Sequence, residues 1–465
     1  QSVGTSYHFS RGAIESGYIG VSYSNLDSNY GIPAGVHHHE EEGHEEGHEE
    51  AAHEEHAAEQ EEGIRLDIRQ RRWDLAGDLH LGGFWELLRW RAAYSEYSHI
   101  EIEPSGEHGT QFSRDASTAR LELSHSPLGR WHGAIGLQYL ASDFQAVGEE
   151  AFVPPSKNRA LGVFVLEDFH GDGWQLEAGL RLDADELDVA SAGRGSDYLG
   201  VSGSLAGLVD IGEHWLGSLS WAQSRRAATA EERYSNIANA PGAWVTHGAT
   251  AAIELGNEAL RREKSDNVEL RFRGDYQRVN AELTLYYNQF DDFIYLHNTG
   301  DELNGVPVLQ YRQQPAVFLG GEYDVDIQLL PADSPARLSL GLFGDYVRAE
   351  LDGGSDIPRL PPRRNGLKLA WQQALWGGEV FAEGRWLLAA KQRRPGENEL
   401  PSDGYHRVDA TVGWTISQSG RRYSATLHGR NLGDEKIRSS SSFIRDQAPE
   451  PGRNIELALR VEFGG

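Results

Sequence analysis

The residues best suited to chemistry lie between positions 36 and 63, VHHHEEEGHEEGHEEAAHEEHAAEQEEG. From His37 to Glu62 this run holds seven histidines (His37, His38, His39, His44, His48, His53 and His56) and twelve glutamates. Neutral imidazole and carboxylate together bind borderline divalent cations, zinc above all, with copper(II) and nickel(II) as competitors. The chain contains no Cys, so disulfides and thiolate ligands are excluded and any metal must be held by His and carboxylates. If the run becomes helical, His44 and His48 share a face at i,i+4, and His53 and His56 share one at i,i+3. Binding must weaken in acid, because an imidazole has to lose its proton before it can ligate. The composition predicts several loosely ordered sites rather than one tetrahedral cage. A solvated charge shield is the plainer alternative, but the histidine content favours metal binding.

Something must position this run. The chain has 465 residues with 71 acidic and 43 basic side chains, a formal charge of −28. That balance argues against a nucleic-acid partner and for cations. The 54 Gly, 12 Trp, 18 Tyr and 15 Phe argue against a disordered acidic chain. No run of apolar residues is long enough for a membrane-spanning helix. There is no Met, and no signal peptide opens the chain, which reads as a processed or partial product.

Period two dominates instead. Val279, Ala281, Leu283, Leu285 and Tyr287 alternate with Asn280, Glu282, Thr284 and Tyr286. Similar alternation runs through 268–273, 407–414 and 455–463. One face of each strand therefore meets apolar surroundings and the other meets water or polar groups. Strands of about ten residues or more with Arg and Glu on the polar face suit the lumen wall of a transmembrane barrel better than a soluble sandwich. Tight turns at Pro127–Arg130, His170–Gly173 and Ser419–Gly420 alternate with long polar segments near 25–62, 105–112, 187–198, 226–263, 394–403 and 438–450. The expected fold is all-β, an antiparallel transmembrane barrel of about nineteen strands. The last strand follows a long loop and so descends, whereas the strand near 14–24 ascends. The first strand then starts at the outer rim, which implies that an odd number of strands precedes it.

Several stretches resemble TonB-dependent outer-membrane receptors. They are Arg226–Tyr234 (RAATAEERY), Gly256–Leu260 with Glu263–Ser265 and Val268–Leu270, Ile357–Pro362, Asn431–Asp434, and Pro451–Asn454 leading into the terminal strand. They occur in the family's order and span most of 220–463. The resemblance implies a monomeric barrel of 22 strands around an N-terminal plug, embedded in outer-membrane lipid and lipopolysaccharide of a Gram-negative bacterium. It also implies energy from the TonB complex through that plug. Numbered back from the last strand, the strand at 14–24 becomes the fifth, so the plug, the coupling box and about three strands are expected to lie outside this sequence.

The motif Leu26–Pro33 (LDSNYGIP) resembles the third extracellular loop region of the zinc-uptake, ZnuD-like branch, which carries a His- and acid-rich stretch there. That branch implies an importer whose loop captures zinc and passes it to an inner site between barrel and plug. Candidates for that site are Glu149 and Glu150 in the branch-like stretch Gly148–Pro155, His247 in Trp244–Thr250, and His297 at the end of the strand 292–296. For each, a rim hydrogen bond is the plainer reading. A receptor for haem, copper, nickel or a metal chelate, and a passive porin or surface metal buffer, remain the alternatives. Enzymatic activity is not expected, because the pairs Glu101/Glu103 and Asp291/Asp292 arise readily by chance in so acidic a chain. Arg363, Arg364 and the Arg-bearing strand faces are read as lumen ion-pair ladders.

Overall fold

The computed structural model describes residues 2–11, 14–31, 64–103, 105–190 and 194–463. Within them runs one large antiparallel sheet. Its first strands are β1 (Ser2–Arg11), β2 (Ile14–Gly31), β3 (Arg65–Leu81), β4 (Trp85–Ile102), β5 (His108–Leu128), β6 (Trp131–Val147) and β7 (Ser156–His170). Next come β8 (Trp174–Val189), β9 (Arg194–Ile211), β10 (Trp215–Arg226), the helix α1 (Ala230–Tyr234), β11 (Thr246–His247) and β12 (Ala252–Leu255). The chain continues through β13 (Glu263–Tyr276), β14 (Val279–Leu303), β15 (Val306–Gln328), β16 (Ala336–Leu351) and β17 (Arg364–Leu375). It ends with β18 (Gly378–Ala389), β19 (Tyr405–Gln418), β20 (Arg421–Arg430) and β21 (Asn454–Phe463). β11 and β12 are short pieces inside one loop, which leaves nineteen strands in the wall, in agreement with the alternation. Each wall strand pairs antiparallel with the next, β10 passing directly to β13.

The two faces separate cleanly. Leu121, Leu137, Val163, Leu182 and Val201 stand in one row across β5 to β9 and all are exposed. Tyr23, Trp73 and Tyr94 stack in a second row on the same face. So large a bare apolar face needs lipid against it. The opposite face carries ion pairs between residues two apart on one strand, which share a face. Arg181 reaches Asp183 at 2.6 Å, Arg72 reaches Asp74 at 2.6 Å, and Arg407 reaches Asp409 at 2.9 Å. Gln138 accepts from both Arg120 (3.1 Å) and Arg181 (3.2 Å). These are the expected lumen ladders. No helix among the described residues is long and apolar enough to cross a membrane.

Tight turns close hairpins of the wall. Trp376–Gly377 and Ser419–Gly420 both have positive φ at both residues, as tight two-residue hairpin turns require. The connections expected near 105–112 and 187–198 are shorter than the sequence suggested, because β5 begins at His108 and β9 at Arg194. Ladder hydrogen bonding continues past the point where the apolar pattern fades. β14 and β15 also form a tall hairpin closed by Asn304–Gly305, again with both φ positive. That Asn-Gly signal was present in the sequence but falls beyond the alternating pattern.

The wall makes a stability prediction. Leu137→Arg, in the middle of the apolar row, should cost about 2–4 kcal/mol, read as a lower urea midpoint for folding into bilayers. An unchanged midpoint would mean that this face does not meet lipid.

Candidate metal centre

Between β10 and β13, residues 227–262 fold over the rim that carries the long loops, and the fold of this loop follows from local rules. Thr229 Oγ1 accepts from the Glu232 backbone N–H at 3.1 Å while the Glu232 carboxylate accepts from the Thr229 N–H at 2.8 Å. This capping box starts α1. Arg226 forks onto the same Glu232 carboxylate (2.9 Å to each oxygen) and reaches Glu263 at 3.0 Å, so the two feet of the loop are tied together. Gly256 packs so closely on the turn after α1 that an added Cβ would lie 2.5 Å from the Arg233 carbonyl carbon. The stretches 226–234 and 256–265, which carried the resemblance, are thus the parts that build this loop.

Tyr234, 2% exposed, anchors α1 against Leu187 and Val189. A tight link through Ala251, at φ 49°, pairs β11 with β12. β12 then runs parallel to β15, Ile253 facing Val308. The result brings Glu231 (α1), His247 (β11) and Glu254 (β12) together, with one potential ligand atom from each lying within 4.8 Å of the others. His247 Nδ1 donates to Glu254 Oε1 at 2.8 Å, Thr250 Oγ1 donates to the same oxygen at 2.8 Å, and Tyr311 donates to Oε2 at 3.1 Å. Tyr311 also stands 3.5 Å from Glu231. The Glu254 side chain is 1% exposed and that of His247 27%, so access is through the half-buried His247 and Glu231 rather than through Glu254. Glu231 also lines a cavity of about 610 Å³ with Asp183, Asp185, Arg225 and Tyr198, on the inner side of the wall.

Burial works to raise the Glu254 pKa, but the hydrogen bond and charge of His247, with bonds from Thr250 and Tyr311, outweigh it and hold it low. Burial likewise pulls His247 down, yet Glu254 and the charge of Glu231 leave it raised. Glu231 is pushed up by burial and then by the charge of Glu254. Two carboxylates facing one imidazole leave an excess of negative charge that a divalent cation would relieve.

Of the residues singled out from sequence, His247 sits at the heart of this cluster. His37, His38, His39, His44, His48, His53 and His56 fall outside the described residues. In that run His44–His48 also fits the H-E-x-x-H spacing, a match that so repetitive a His/Glu composition produces readily. Glu149 and Glu150 follow β6 and do not join the cluster; the Glu150 backbone N–H donates to Thr110 Oγ1 at 2.9 Å. Their stretch contributes Phe152 instead, whose ring lies 4.5 Å from that of His247. His297 is buried on β14, 4.0 Å from Glu397, apart from the cluster. Sequence reasoning missed Glu231, Glu254 and Tyr311. Glu231 lay inside a recognised motif, but nothing local connects it to Glu254 or to Tyr311 on β15.

The shifts fix a sign. His247, raised in the folded loop, stabilises it fully below the ordinary imidazole value of 6.5 and loses that contribution as pH rises through its folded pKa. Glu254, lowered, contributes above the ordinary carboxylate value and loses its share as pH falls through its folded pKa. Histidine-selective NMR of the metal-free protein should find His247 titrating above 6.5, and Glu254→Gln should lower it. A His247 that titrates normally and ignores Glu254→Gln would dissolve the pair.

Comparison with known proteins agrees with this architecture. The family described as "TonB dependent receptor-like, beta-barrel" matches residues 14–432. The solved structure of the copper transporter OprC is similar with a TM-score of 0.74 at 14% identity, covering 99% of this chain and 71% of that one. The FrpB iron transporter from Neisseria meningitidis (F3-3 variant) is similar at 0.69 and 14%, covering 98% and 71%. BauA, the ferric preacinetobactin receptor from Acinetobacter baumannii, is similar at 0.65 and 12%, covering 98% and 71%. At such identities the likeness is one of fold. Matched over most of its length and wrapped in a bare apolar face, this chain belongs to the TonB-dependent receptors, non-enzymatic transport barrels of the Gram-negative outer membrane.

Proposed function

We propose that this receptor imports zinc, drawing on the TonB complex for energy, by way of two histidine-bearing stations on its extracellular side. The run His37–Glu62, within the extracellular loop 25–62, captures the ion; Glu231, His247 and Glu254 hold it next. The observation that carries the reading is the convergence of one imidazole and two carboxylates at the mouth of the lumen, on the same rim as the ends of β2 and β3 that flank the His/Glu run. The donor set suits a borderline divalent ion whose remaining coordination positions stay open to water or a further ligand.

Copper(II) is the second reading, favoured by the likeness in fold to a copper transporter and by the general order of affinities, which places copper(II) above zinc. The sequence contains neither Cys nor Met, so it offers no soft ligand for copper(I). Haem, nickel, a metal chelate and passive permeation are the other outcomes to be tested.

Radioactive zinc uptake separates them. His247→Ala and Glu254→Gln should each lower uptake at limiting zinc about tenfold or more, by analogy with losses seen around metal sites. Deleting 36–63 should lower uptake at limiting zinc and spare it in excess. Uptake that survives loss of the energy-coupling partner would identify a passive pore, and unchanged zinc uptake beside lost copper or haem uptake would reassign the cargo.

A further inference from the structure

A second cluster lies at the opposite rim, where the short turns are. We propose that His132, Asp168 and His170 form a divalent-cation site on the inner wall at the periplasmic end of the lumen. Asp168 and His170 are two apart on β7 and so share a face; His132 on β6 is the direct register partner of Asp168. One ligand atom from each lies within 4.8 Å of the others. His170 Nε2 hydrogen-bonds to Asp168 Oδ2, while His132 Nδ1 lies 3.8 Å from that oxygen. The two imidazole rings meet edge to face at 4.8 Å. His132 Nδ1 is itself buried and has no hydrogen-bond partner, so no competing hydrogen bond has to be broken for it to ligate.

The neighbouring residues settle which way these side chains point. Trp131, Phe169 and Trp174 alternate with them and pack together on the outside, with ring centroids 5.1 and 5.2 Å apart. Such aromatic girdles mark the level of the membrane interface on the lipid face. His132, Asp168 and His170 therefore look into the lumen at that depth. Glu177, the register partner of Asp168 on β8, adds negative charge to the same row. Arg130 is occupied by Asp172 at 2.8 Å.

Two imidazoles and a carboxylate are the donors of a zinc-type cation rather than of magnesium or calcium. Bonds near 2.0–2.1 Å put tetrahedral ligand atoms about 3.3 Å apart, so small side-chain rotations close the site. All three ligands stand on a hydrogen-bonded ladder, which holds their backbone positions. Three protein ligands leave a coordination position open to water or to a further ligand from the lumen. The site is independent of which cargo the outer mouth selects.

The test is residue-resolved modification of histidine by diethylpyrocarbonate, mapped by mass spectrometry on the complete receptor in detergent. Zinc should lower modification of His132 and His170 at least fivefold, excess magnesium should not, and His214, at another short turn, should be unaffected. Asp168→Asn should raise the zinc concentration needed for protection about tenfold or more, in a variant whose heat-modifiable gel mobility confirms the folded barrel. Equal modification with and without saturating zinc, or protection that Asp168→Asn leaves intact, would overturn the site. His247 is read in the same digest, so failure here is distinguishable from failure of the outer station.

Discussion

A backbone N–H or C=O in hydrocarbon has no water to turn to, and leaving one unpaired costs several kcal/mol. From β2 to β20 each wall strand answers that constraint with ladders on both edges, while β1 and β21 are each paired on one edge among the described residues. The alternation of side chains is a consequence. Once the backbone is extended and paired, successive residues face lipid and lumen in turn, and the lipid face is the one that must be predominantly apolar. Leu121, Leu137 and Val163 sit on one side, and Arg120, Gln138 and Arg181 on the other.

The same wall provides rigid points from which clusters of imidazole and carboxylate can be hung. At the outer mouth, a capping box, the Arg226 fork and a close-packed Gly256 hold a loop firmly enough to bury Glu254 beside His247. Burying a carboxylate is costly unless it is paired and hydrogen-bonded, and Glu254 receives three side-chain donors. Glu231 beside it has its pKa pushed upward by burial and then by the charge of Glu254. At the inner rim the geometry is simpler: alternate residues of one strand and a register partner on the next.

Likeness of fold carries the family but leaves the cargo open. Structures at 12–14% identity share the barrel with this chain, and binding residues in general sit disproportionately on loops, which vary far more than the wall that supports them. The donor chemistry of this chain's own loops is therefore the better guide to what it carries.

Sequence alone settled what depends on local periodicity and local turn chemistry. Nineteen wall strands, their alternating faces, the lumen ion pairs and the tight turns at Gly129, Gly173 and Ser419–Gly420 could all be read from residues close together in the chain. It also singled out His247, through a motif. What it could not reach was partnership across long separations. Glu231, Glu254 and Tyr311 meet because α1, the four-residue strand β12 and β15 converge in space, and no period in the sequence encodes that convergence. His132 and Asp168 are 36 positions apart and become neighbours only when the register of β6 on β7 is set. Register is fixed by the hydrophobic face and by turn geometry acting together, so only the folded sheet decided which imidazole faces which carboxylate.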